Sequence, residues 1–427
     1  MSVFRMPAIR PILSSLRHHQ LTAGLLALQV ALTCAIVANA TFMIAGRVDR
    51  MLTPTGIPED EISLVSAEGL QADTNTSPQQ QTDLAALRAI PGVTAAVAVG
   101  WTLPLSGGAE DSGVCADQAS LDQAIALRSI DNIAGCVQAT NYRGSPGFVQ
   151  ALGAHLIGGR DFTADEYPSG DEAPDDDGGK GSDGGPVIIS RSLAQRLWPG
   201  QQALGKTLFA WHNQRVVGVV EDILRPKLRS DGVDRLVMLV PLAPQGNSVR
   251  YLLRSAPDQR GRILRDAADA LATSGPPRLI PPEGMRTFAE MRHKYFQRDA
   301  TMVGLLLAAM GGLLFVTALG IGGLANFWVQ QRTRQIGIRR AIGATRGDIL
   351  RHFLLENFLI VTVGVALGML LAYALNRWLM DRYELARLPL YYFPAGALLL
   401  WSIGQLAAFW PARRAAAVPP AIATRNA

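Results

Sequence analysis

Long uncharged apolar runs bracket a polar, more finely patterned middle along this chain. Leu21 to Ala45 and Thr301 to Val329 carry no charge, Phe353 to Leu375 carries Glu356 alone, and Phe393 to Trp410 again carries none. Each meets or approaches the ~20 residues that a ~30 Å hydrocarbon core requires, so four membrane-spanning helices are predicted. Between the first and second runs the period shortens. Glu61 to Ser66 reads as a strand, as do Val93 to Val99, Pro186 to Ser190, Arg215 to Val220, Arg235 to Val240 and Val249 to Leu253. Helical spacing is predicted over Asp83 to Ile90, stopped by Pro91-Gly92. It is also predicted over Phe148 to Leu156 leading to a turn at Gly158-Gly159, over Ser192 to Leu197, and over Arg260 to Ala272 with Ile263, Ala267 and Leu271 on one face. Strands alternating with helices imply an α+β domain built of βαβ-like units. Met285, Phe288, Met291, Tyr295 and Phe296 predict an amphipathic stalk helix ahead of the second span.

The predicted fold class is therefore a membrane protein with four transmembrane α-helices, one N-terminal and three C-terminal. An α+β extracytoplasmic domain is inserted after the first helix. The expected boundaries are a cytoplasmic N-terminus 1–20, a helix 21–46, the α+β domain 47–284, the stalk 285–300 and a helix 301–329. A cytoplasmic segment 330–352, a helix 353–376, an outer loop 377–392, a helix 393–411 and a cytoplasmic tail 412–427 follow.

Charge fixes the expected orientation. From Val48 to Arg298 there are 30 acidic and 24 basic residues; the remainder holds 5 acids and 16 arginines. The basic pI thus follows membrane topology and gives no reason to expect nucleic acid as a partner. Arg5, Arg10 and Arg17 precede the first span, six arginines lie between Gln331 and Glu356, and Arg413 and Arg414 follow the fourth. Lys and Arg are retained on the cytoplasmic side during insertion, so both termini are expected there. The 47–284 domain is then expected outside a bacterial inner membrane. The first apolar run exceeds the 7–15 residues of a signal-peptide core, so an uncleaved anchor is expected. Cys34 falls in the first span. Cys115 and Cys136 fall in the exported region, where an oxidising compartment allows them to pair or to remain separate buried thiols.

Chemistry-bearing motifs are scarce. Gly200 to Thr207 (GQQALGKT) fits the P-loop pattern, and Val216 to Asp222 imitates the strand that accompanies it. A P-loop, however, follows a strand and opens a helix, so that helix N-terminal amides cradle phosphate. Here a predicted helix and a Trp198-Pro199 turn precede it, and a strand-like Thr207 to Trp211 follows, so a simple turn is expected. The acidic, glycine-rich Asp165 to Pro186 is too poor in apolar residues to offset chain entropy and reads as a loop. Its Asp175, Asp176 and Asp177 lack EF-hand spacing. No His or Cys cluster has metal-site spacing, and neither GxSxG nor HExxH occurs, so no metal site and no enzymatic activity are expected in this chain.

Gln331 to Ala344 (QRTRQIGIRRAIGA) resembles the cytoplasmic segment ERTREIGIRRAIGA of the MacB/FtsX-like permease family of ABC transporters. The likeness extends through Asp348 and Glu356 into Gly364 and Gly368. Asn141 to Phe162, Pro186 to Leu208 and Arg215 to Asp222 resemble the MacB-type periplasmic core domain, and Trp410 to Ala416 resembles the family's PARRAA ending. Gln331 and Gln335 depart from it, standing where the family usually has acids.

The resemblance implies a non-catalytic permease subunit coupling ATP hydrolysis on a separate ABC-type ATPase, which would hold ATP and Mg. It would work by mechanotransmission, exporting a peptide, antibiotic or other amphiphile from the periplasmic side. It implies a homodimer, or a heterodimer with a homologous permease, and extends to a periplasmic adaptor and an outer-membrane channel. The ATPase-coupling residues would be Arg332, Thr333, Arg334, Ile336, Gly337, Ile338, Arg339, Arg340, Ala341, Gly343 and Ala344. Arginines would supply charge-assisted contacts, and Ile336 and Ile338 would fill a groove on the ATPase. Alternatively these arginines set topology and bind anionic lipid headgroups. Gly364-x-x-x-Gly368 permits close helix packing. Two other functions share the family's architecture, regulation of cell-wall hydrolases and extraction of lipoproteins or lipids.

Overall fold

The computed structural model describes residues 20–70, 77–108, 110–131, 133–168, 183–210, 212–228, 234–383 and 392–417. The arginines of the N-terminus, most of the acidic loop, most of the outer loop after the third span and the end of the tail lie outside these residues. The chain divides into two units, Met1–Leu52 with Arg298–Ala427, and Thr53–Gln297.

The second unit holds two sheets, the first antiparallel throughout its described pairs and the second mixed. In the first, β1 (Ile62–Gly69) and β2 (Val93–Val99) flank β10 (Ser248–Ser255), giving the order β11-β1-β10-β2, with β11 (Arg278–Leu279) and β12 (Arg286–Thr287) paired to β1. Helices α2 (Ser77–Arg88) and α6 (Arg260–Thr273) cover one face, burying Leu84, Leu87, Ile263, Ala267 and Leu271 against Val65, Ala98 and Tyr251. That spacing of three to four residues puts a single apolar stripe of each helix on the sheet. At the base of α2 a fully buried Asp83 carboxylate is met by Arg278, by the Tyr251 hydroxyl and by Ser274 Oγ at 2.8 Å.

The second sheet is inserted between β2 and β10, with the order β3-β4-β9-β6-β8-β5. Its strands are β3 (Asp111–Cys115), β4 (Cys136–Arg143), β5 (Leu156–Gly159), β6 (Asp183–Ser190), β8 (Asn213–Val220) and β9 (Val237–Val240), with β7 (Thr207–Leu208) beside β8. Among the described residues only β6-α5-β8, with α5 at Arg191–Leu197, makes a parallel strand–helix–strand unit between neighbours; β4 and β9 also run parallel, and the other pairs are antiparallel. The expected βαβ character is thus confined to one unit. Helix α3 (Gln118–Leu127), started by Asp117 accepting from the Ser120 amide at 2.8 Å, is held beside β3 and β4. There Cys115 and Cys136, register partners across the strands, form a disulfide.

Two sequence expectations change here. The helix at Phe148 ends at Leu152 (α4), because Gly153 takes a left-handed φ of +72° and its amide turns back to Gln150. Gly158-Gly159 consequently lies in strand β5 beside β8 and forms no turn. Met285 stands outside the predicted stalk, since Arg286–Thr287 pairs with β1 and α7 (Phe288–Gln331) begins only after it.

The first unit is helical. Helices α1 (Gln20–Leu52), α7, and α9 (Arg346–Tyr383) as far as Trp378 are each long and apolar enough to cross a membrane. The fourth expected span falls within α10 (Tyr392–Ala417), which is helical but not among those three. Leu26, Val30, Trp328, Val361, Val365 and Leu400 bring all four helices into one core. The approach of α9 to α1 depends on missing side chains. A Cβ on Gly364 would stand 2.7 Å from Val30 Cβ, and one on Gly368 would stand 2.4 Å from Cys34 Cβ and 2.6 Å from the Ala31 carbonyl oxygen. Close backbone approach of this kind is what small-xxx-small spacing permits.

Candidate functional site: the short helix between two long ones

Helix α8 (Thr333–Ala341) lies between α7 and α9, and its ends follow from local sequence. At the C-terminus Gly343 adopts φ +102°; its amide reaches the Arg340 carbonyl, and the Ala344 amide reaches that of Arg339. This double closure is a Schellman stop, which favours glycine at the left-handed position. Thr345 then opens α9. Its hydroxyl donates to the Asp348 carboxylate at 2.6 Å and accepts from the Asp348 amide, while the Asp348 carboxylate accepts from the Thr345 amide at 3.0 Å. A stop and a reciprocal cap within six residues keep α8 separate from α9.

The two faces of α8 differ. Ile336 is 5% exposed and packs with Val329, Ile349, Phe353, Ala412 and Ala415, and Gly337 is buried beside it. Arg334, Ile338 and Ile342 follow at intervals of four on the opposite face, with Ile338 49% and Ile342 80% exposed. Gln335 and Arg339 flank that stripe and are exposed as well, as are Ala341 and Gly343. Thr333, Arg340 and Ala344 are half-buried.

The expectation that Ile336 and Ile338 fill one groove therefore fails. Residues two apart on a helix point about 200° apart, so the pair cannot share a face. Ile336 belongs to the chain's own core, and the outward apolar position that the sequence reading missed is Ile342. Its spacing from Ile338 was the signal.

Arg332 likewise turns inward. Its Nη1 donates to both carboxylate oxygens of Glu356, at 3.0 and 2.9 Å, and Glu356 is 2% exposed. A carboxylate buried in an apolar run is costly without a compensating partner, and Arg332 supplies one from 24 residues away.

The P-loop look-alike has the wrong surroundings. Gly200 to Lys206 follows helix α5 and enters β7. Its amides turn inward: those of Gln201, Gly205 and Lys206 donate to the carbonyls of Trp198, Val216 and Ala203. Lys206 lies over the Trp198 ring, 5.3 Å from its centre. No helix starts there to present free amides to phosphate.

Residues 307–420 match the FtsX-like permease C-terminal family. The Macrolide export ATP-binding/permease protein MacB of Escherichia coli is 28% identical over 254 residues, covering 55% of this chain and 38% of the relative. The corresponding MacB 1 of Aeromonas hydrophila is 31% identical over 247 residues, covering 55% and 37%. The match thus spans under two-fifths of the length of these relatives. Among solved structures, the periplasmic region of MacB from Actinobacillus actinomycetemcomitans aligns at TM-score 0.31 and 12% identity, over 57% of this chain and 97% of that one. The extracellular domain of the ABC-type transporter YknZ from Gram-positive bacteria aligns at 0.30 and 16%, over 51% and 99%. Both scores are too low to bear on the fold. The family match across residues 307–420, together with the MacB relatives, supports a MacB/FtsX-like permease of ABC transporters.

Proposed function

We propose that this permease is driven by a separate ABC-type ATPase, which docks on the outward face of α8 and holds ATP and Mg. The observation that carries the reading is the Arg334–Ile338–Ile342 stripe, exposed on a short helix whose other face is locked into the core by Ile336. Such a helix can take a load on one side and pass it on the other. Two exposed isoleucines flanked by Arg334 and Arg339 suit a partial groove with an acidic rim, where aliphatic anchors supply binding and guanidinium groups supply orientation.

In this reading α8 and both termini are cytoplasmic, as the arginine distribution favours, and the sheet unit lies outside the inner membrane. The Cys115–Cys136 disulfide supports that placement, because such bonds persist in oxidising compartments. Movement of the spans would carry the ATPase cycle outward and export a peptide, antibiotic or other small amphiphile. Export is the activity named for the MacB relatives. The functional unit would pair this chain with a second copy or a homologous permease, working with a periplasmic adaptor and an outer-membrane channel.

The test is co-purification of the ATPase with the full-length permease. Ile338→Asp combined with Ile342→Asp is expected to reduce recovery about tenfold or more, the effect of losing one anchoring contact, while leaving thermal stability near wild type. Undiminished recovery would refute docking on this face. Ile336→Asp is the control that lowers stability itself.

A further inference from the structure

The second sheet is covered over only part of one face. Helix α5 packs its Leu193 and Leu197 there against Val114, Ala139, Val216 and Met238. Ser112, Asn141, Gln214 and Val240 each stand two residues from one of these, and so share that face. The strand directions put all four at the same end. β4 and β9 are parallel, β3 opposes β4, and β8 follows β6, which opposes β9. Beyond α5, this end of the face opens into a cavity of about 780 Å³. Its side wall is formed by Leu121 and Ile125 of α3 and by the following Ile130. The disulfide ties β3 to β4 beneath that wall, and Leu121 and Ala124 of α3 pack against it.

The floor carries polar groups that lack partners. Asn141 is 7% exposed, and its side-chain Nδ2 donates to Ser112 Oγ at 2.7 Å while Oδ1 has no partner among the described residues. Gln214 Oε1, on the same floor, is also buried with no partner among the described residues. A buried amide oxygen with no donor costs about 1–3 kcal/mol, so two in one cavity call for a group that donates to them. Charge at the mouth is balanced: Arg128 and Asp131, of opposite sign, stand exposed at its rim, and the other two charged groups are paired within the protein. Arg143 pairs with Glu110, and Glu166 accepts from Arg160 Nη1 at 2.8 Å.

We infer that this cavity is a binding site for a small uncharged amphiphile, whose apolar body lies along α3 and whose N–H or O–H groups donate to Asn141 and Gln214. Its volume is within the roughly 300–1,000 Å³ of small-molecule sites, and apolar walls with a few convergent polar atoms are their usual make-up. The site lies wholly within the sheet unit and makes no use of α8, so it stands or falls independently of ATPase docking.

Photolabelling tests this. 4-Aminobenzophenone joins an uncharged aryl amine donor to an apolar photoreactive ketone, and would be irradiated with the full-length chain in lipid nanodiscs. Labelled peptides are then mapped by mass spectrometry. Adducts are expected on the α3 segment and on β9 around Met238 and Val240. Gln214→Met, which removes an acceptor at similar volume, is expected to cut that labelling about fivefold, the loss for one neutral hydrogen bond. Ile125→Trp, at a wall position 43% exposed, would fill the cavity from the side without disturbing the core and should also suppress it. Label confined to the membrane helices overturns the assignment, as does α3 and β9 labelling that both variants leave unchanged.

Discussion

Arg332 and Glu356 are worth more to this protein in combination than either side chain separately. Truncating Arg332 removes the cation bonded to both oxygens of a carboxylate that is 2% exposed, and breaking a buried pair of this kind costs about 3–5 kcal/mol. Arg332→Ala is therefore expected to lower the thermal stability of the full chain, and a second change, Glu356→Gln, to recover much of the loss. An unchanged melt for Arg332→Ala would show that the pair contributes nothing. The carboxylates of the sheet unit give a pH dependence. Hydrogen bonds from Arg160, outweighing burial, hold Glu166 down to about 2 from an ordinary 4.5. Burial raises Asp83, but hydrogen bonds from Arg278, Tyr251, Ser274 and Gln79 together hold it below its usual range. A folded-state value below the unfolded one means stability that is present above the ordinary carboxylate range and lost as pH falls. We expect the stability of the sheet unit to decline from about pH 4.5 towards pH 2, followed by near-ultraviolet circular dichroism. Glu166→Gln should make that decline shallower; an identical slope would remove the Arg160 pair as its source.

Helix packing sorts glycines that composition alone treats alike. Gly368 stands where a Cβ would overlap Cys34 and the Ala31 backbone, whereas a Cβ on Gly311 meets nothing within 4 Å. Gly368→Leu is thus expected to destabilise the α1–α9 contact by about 1–3 kcal/mol or more, by overpacking. Gly311→Ala should be neutral or slightly stabilising, because alanine is the better helix former. Comparing the thermal melts of the two variants decides the matter, and equal effects would contradict the packing described. The sequence announced the Gly364–Gly368 spacing but not its partner, since nothing in α9 names Val30 or Cys34. Other elements divide in the same way. Val93–Val99 is an apolar run bounded by Pro91-Gly92 and Gly100, and was read correctly to the residue. Asp111–Cys115 and Cys136–Arg143 were missed, because Gly113, Gln138 and Asn141 break the apolar pattern and pairing across the sheet supplies what propensity lacks. On α8 the arginines drew attention to the right segment, while the orientation of Ile336 depended on Phe353 and Ala412, contributed by helices the motif does not include.

For the molecule as a whole, its apolar runs and arginine clusters indicated a membrane protein and its orientation, and the resemblance of Gln331 to Ala344 indicated a permease, whereas the interleaving of its two sheets was beyond any local pattern. Strand β10 lies between β1 and β2, with the entire second sheet encoded between β2 and β10. During synthesis, then, β1 and β2 emerge long before the strand that joins them. Each must wait with unpaired edges while residues 111–240 form the other sheet, and contacts of such long sequence separation form slowly. Nascent chains arrested before Ser248 should show amide protection in β6 and β8 but none in β1 and β2, and protection of β1 at that length would refute the order. Exposed strand edges invite aggregation while they wait. The vulnerable interval in this protein's life is accordingly the time between making Val99 and making Ser248, and a holdase acting on the translocated chain would have its greatest effect there.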